Sequence, residues 1–167
     1  MNRSRRLSLL FVALFVLSAP FAASAAADVD PPGEGAGPTD PAAQFELGMR
    51  YGRGEGVPRD DYAARTWLAR AAAGGHPRAR HALGWLYYDG RGVPRDYPKA
   101  AELFGYAAER GDPEAQYMMG VLHAEGKGVA KDSRRSILWM RKAAGQGHPG
   151  ARQVLRSIFG PAADSLP

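Results

Sequence analysis

Small and apolar residues recur along most of this chain at the i, i+3, i+4 spacing of amphipathic helices, and the whole pattern repeats every 36 residues. Residues 42–77, 78–113 and 114–149 align without a gap, and residues 150–160 begin a fourth copy. Ala43, Ala79, Ala115 and Ala151 share one column, and Leu47, Leu83, Met119 and Leu155 another. Gly48/Gly84/Gly120 and Tyr51/Tyr87/His123 complete the same face. Each copy therefore predicts two helices. Helix A runs from about Ala42 to Tyr51, and a glycine-bounded loop around Val57 follows it. Asp60, Asp96 and Asp132 stand where an N-cap accepts orphan backbone N–H groups. Helix B turns Ala64, Trp67, Leu68, Ala71 and Ala72 inward. Gly75 ends it in the left-handed conformation, and Pro77 opens the next helix A.

Two glycine columns carry separate expectations. A glycine inside a helix costs about 1 kcal/mol against alanine, so Gly48 and its equivalents imply a close crossing by helix B, with Ala71 and Ala72 against bare backbone. The fourth copy has Arg156 in this column and no helix B after it, which reads as a terminal cap facing water. The loop glycines of Gly52-Arg53-Gly54-Glu55-Gly56 resemble a phosphate cradle only superficially. No strand precedes them and all three copies carry them, so they are expected to be turns.

The segment Ala79-Arg80-His81-Ala82-Leu83-Gly84-Trp85-Leu86-Tyr87, followed by Gly90-Arg91-Gly92-Val93-Pro94-Arg95-Asp96, resembles the Sel-1-like repeat, a relative of the tetratricopeptide repeat. The likeness runs from residue 42 to about 160. It implies an all-α, right-handed α-solenoid of three 36-residue repeats plus a C-terminal capping helix, about seven helices with helix A lining a concave face. The family resemblance implies an adaptor for protein complexes, and for exported bacterial members a role in envelope assembly or signalling. Some cysteine-rich members bind or hydrolyse β-lactams, but this chain has no cysteine.

The chain begins differently. Arg3, Arg5 and Arg6 lead into an apolar run from Leu7 to Leu17, and small residues follow up to Ala27. This is the order of a secretory signal, with cleavage after Ala25 or after Ala27. The run is short for the roughly 20 residues of a membrane-spanning helix, so no stable anchor is expected after cleavage. The organisation expected is a signal peptide at 1–27, a Gly/Pro-rich acidic linker at 28–40, the repeat domain at 41–160 and a tail at 161–167. The destination expected is the periplasm. Net charge is +5, and the three leading arginines leave only +2 for the rest, too little for nucleic-acid binding.

Candidate chemistry is sparse. Nucleophilic catalysis needs a nucleophile, a base and an orienting group together, and no such set is visible, so the chain is not expected to be an enzyme. No metal site or cofactor is expected either. His76 and His148 share a column two repeats apart and read as turn or cap residues, and His123 reads as packed. The candidate site is a second apolar stripe on helix A: Phe45 and Met49, then His81, Trp85 and Tyr88, then Tyr117 and Val121. Aromatic side chains are frequent binding anchors, so this ladder is expected to bind a protein or peptide of the cell envelope. Alternatively it only fills space between adjacent A helices. Arg53, Asp89, Glu114 and Glu125 give the rim mixed charge, whereas Arg134, Arg135, Arg141 and Lys142 read as a solvated outer face. Two other functions fit: an envelope glycan or peptidoglycan module with Trp85 and Tyr117 as stacking platforms, and a β-lactam or cell-wall hydrolase. With so few repeats, weak self-association is also open.

Overall fold

In a computed structural model of the chain, residues 37–161 are described. They form seven helices: α1 (Pro41–Arg53), α2 (Asp61–Ala73), α3 (Ala79–Asp89), α4 (Tyr97–Glu109), α5 (Pro113–Glu125), α6 (Ser133–Gly145) and α7 (Pro149–Phe159). The signal segment and most of the linker expected at 28–40 lie outside the described residues, as does the tail beyond Pro161.

Local chemistry fixes the helix ends. The B helices α2, α4 and α6 are capped by Asp60, Asp96 and Asp132, whose carboxylates accept first-turn N–H groups. The A helices α1, α5 and α7 open on a proline behind Asp40, Asp112 or His148, each accepting from the N–H of an alanine three residues on. At the C-termini Gly54, Gly90 and Gly126 end the A helices, and Gly75, Gly111 and Gly147 follow the B helices, all at positive φ. The exception is α3. It starts at Ala79 rather than Pro77, and its N-cap Arg78 makes no side-chain bond. His76, in the capping column, instead stacks on Phe45 with centroids 4.2 Å apart.

Each helix packs most closely on its neighbours in the chain, which gives the all-α solenoid. The close crossing at the mid-helix glycines is present, but its partner differs from the expectation. A Cβ on Gly48 would meet Leu68, on Gly84 Phe104, and on Gly120 Met140, all within 3.0 Å. Large side chains of one helix-B column fill the space that glycine leaves, and the Ala71–Ala72 pair is buried elsewhere. Ala79, Ala115 and Ala151 are fully buried, whereas Ala43 is exposed, because no helix B precedes α1 among the described residues.

Successive repeats are locked at their loops. A Cβ on Gly92 would collide with the Asp61 carbonyl, and one on Gly128 with the Tyr97 carbonyl. Arg91 of the second repeat donates from Nη2 to the Gly52 carbonyl at 2.7 Å and to the Asp61 carboxylate. These glycines serve a turn and an inter-repeat contact, not a phosphate.

Candidate partner-binding face

The stripe predicted on helix A is divided by the fold into three local arrangements. In α1, Phe45 is buried, its ring covered by His76 and the Arg78 guanidinium. In α5, Tyr117 stacks on His148 at 4.5 Å with the same 18° tilt that relates Phe45 to His76. His148 accepts from Ala151 N–H at Nδ1, so its Nε2 carries the proton and donates to Glu114 at 2.8 Å. Val121 is half-buried with Tyr117 against the small cluster of α6 and α7.

Only the middle repeat builds a continuous aromatic group. The Trp85 indole N–H donates to Nε2 of His81 at 2.9 Å, one helical turn back. That bond requires a neutral His81 with its proton on Nδ1, which faces Asp112 at 3.5 Å. Burial pushes the His81 pKa below its ordinary value, outweighing the attraction of Asp112 and Glu114. Trp85 meets Phe104 and Tyr88 edge-on, each at 5.6 Å, and Tyr88 meets Tyr97 at 5.3 Å. Lys127, paired to Glu125, reaches across from the next repeat to both tyrosines.

Met49 and Trp85 do come together. They wall a cavity of about 220 Å³ between the first two repeats, whose remaining surface includes Gly48, Leu68, Ala82 and Arg53. Its lining is mainly apolar, with Arg91 and Arg53 at its polar margin. A cavity of this size, with half-buried aromatic and thioether walls, has room for one apolar side chain. The stacking platforms invoked for a glycan are both engaged, Trp85 with its edge partners and Tyr117 with His148. His123 is buried, with Nδ1 3.2 Å from the Ala130 carbonyl, a packing role.

The Sel1 repeat family matches this chain three times, at residues 41–76, 77–112 and 113–148. The chain belongs to the Sel1 repeat family. Its register lies one residue before the one drawn from the alignment of columns. Among solved structures, a Sel1 repeat protein from Oxalobacter formigenes is 44% identical, with a TM-score of 0.64 over 71% of this chain and 90% of that one. A protective antigen of uropathogenic Escherichia coli displaying the SLR fold is 36% identical, with a TM-score of 0.67 over 72% of this chain. The chain spans only 27% of that antigen. The cysteine-rich protein B of Helicobacter pylori shares the fold at 23% identity, with a TM-score of 0.58 over 69% of this chain and 89% of that one. No curated protein matches the sequence. Sel1 repeat proteins are generally protein-interaction adaptors, typically non-catalytic scaffolds.

Two contacts at this face escape a reading of the sequence alone. One is the Arg91 bridge to Asp61, residues 30 apart. The other is the pairing of the Phe45 column with the His76 column, which aligned columns reveal only once their separation in space is known.

Proposed function

We propose that this chain is an exported, non-catalytic adaptor that receives a protein or peptide against the helix-A side of its first two repeats. The supporting observation is the cavity walled by Met49 and Trp85. Interface energy concentrates where an anchor side chain enters a preformed apolar pocket. The mixed charges around this face are largely paired within the chain, as in Arg53–Glu55 and Lys127–Glu125, which suits a peptide better than a polyanion. Periplasmic destination rests on the leading residues alone, whose basic, apolar and small-residue order is that of an export signal.

A photocrosslinking probe at Met49 tests the reading in cells. A discrete protein adduct is expected, absent when the probe sits at Arg141 on α6. Ala82→Phe should abolish the adduct by filling the cavity while leaving the walls in place. No adduct, or one indifferent to Ala82→Phe, overturns the proposal.

A further inference from the structure

A second hollow, of about 390 Å³, lies where the α2–α3 turn meets the α4–α5 turn, away from Met49 and Trp85. Arg78, Arg80 and Arg110 all line it. The guanidinium carbons of Arg80 and Arg110 lie 3.4 and 3.5 Å from the centroid of the Tyr106 ring, so they occupy its opposite faces. Two cations are thus held about one ring by stacking, and Arg110 also donates from Nη1 to the Tyr106 carbonyl at 3.3 Å. Among the described residues none of the three arginines has a carboxylate within ion-pair distance. Asp112 on the wall is occupied, accepting from Ala115 N–H at 2.9 Å and facing His81. Glu102 and Glu109 line a separate hollow with Arg80, and Glu102 is paired to Lys99.

The next repeat shows what the fold alone asks of these positions. One period on, Arg78 becomes Glu114, Arg80 becomes Gln116 and Arg110 becomes Gln146. Gln146 donates to the Gln116 side-chain oxygen at 2.8 Å, and Glu114 pairs with His148. The third repeat closes its junction with neutral or compensated pairs, while the second places three uncompensated arginines around an opening. Packing does not require that choice. Guanidinium forks match the paired oxygens of carboxylate and phosphate groups, and the one backbone bond that Arg110 makes leaves most of its N–H donors unused. We propose that this hollow binds an oxyanion, a carboxylate or a phosphate group, through Arg78, Arg80 and Arg110.

The test titrates the purified full chain at low salt into fluorescein-labelled hexaglutamate, read by anisotropy, and separately with inorganic pyrophosphate, read by calorimetry. Binding of one of the two probes is expected. R80Q/R110Q installs the amide pair of the third repeat and should weaken binding by at least about tenfold while keeping wild-type helicity. R80K/R110K keeps the charge but removes the fork and should also weaken it. R141Q/K142Q, on α6, should leave affinity unchanged. Tighter hexaglutamate assigns the oxyanion to acidic side chains, and tighter pyrophosphate to phosphate. Binding of neither probe, or wild-type affinity in either Arg80/Arg110 variant, overturns the site.

Discussion

At Gly84 a single added methyl would stand 2.9 Å from Cε1 of Phe104, a rigid ring with no exposed face to retreat to. At Gly120 the obstacle is the unbranched Met140 side chain, with Cε at 2.8 Å and Cγ at 2.9 Å, and at Gly105 the nearest atom is 3.9 Å away, an ordinary contact. Alanine gains about 1 kcal/mol of helix propensity at each site, so packing decides the sign. Gly84→Ala should destabilise by about 1–3 kcal/mol through overpacking. Gly120→Ala should cost less, because Met side chains adapt. Gly105→Ala should stabilise, by up to about 1 kcal/mol. Urea denaturation of the three variants checks the order; equal effects at all three would contradict the crossing geometry.

Between elements, the first junction depends on Asp61 at the start of α2. Its carboxylate accepts from Arg91 of the next repeat and from Arg59 beside it. The Arg91 hydrogen bond, helped by Arg59 and opposed by partial burial, holds the Asp61 pKa below its ordinary 3.8. A depressed carboxylate stabilises the fold above its unfolded-state pKa and loses that contribution as pH falls through the folded value. Asp61→Asn should therefore cost about 1 kcal/mol at neutral pH, a modest figure because both partners are partly in water. The difference from wild type should shrink as pH drops below 3.8. Urea midpoints across that range measure it. A difference that persists unchanged at the lowest pH would show that charge is not the cause.

Over the whole molecule, stability should vary along the solenoid. Inner helices pack on a chain neighbour at each side, whereas α1 and α7, at the ends of the described residues, each have a chain neighbour on one side alone. Local opening free energies follow such differences. Amide hydrogen exchange should be slowest in α3, α4 and α5 and fastest in α1 and α7. The exposed Ala43 and, on α7, the exposed Ile158 and Phe159 mark those ends. Slowest exchange at either end would require a cover that the described residues do not supply.

Helices, caps and turns are legible in the residues because each depends on a bond made within a few positions. Asp60 caps α2, and Gly75 turns left-handed behind it, whatever lies further off. The 36-residue period extends that local information to a solenoid, since identical units can only stack one on the next. What the period does not contain is the angle at which units meet. Nor does it contain the crossing of the two helices within a unit, which sets Leu68, Phe104 and Met140 over the glycines in place of the Ala71–Ala72 pair. The angle between units turns His76 from a cap into a stacking partner for Phe45. It also brings Met49 to Trp85 across one cavity and gathers Arg78, Arg80 and Arg110 around another. These contacts join residues on different helices, and their existence is decided by tertiary packing, which balances side-chain volumes over two helices at once.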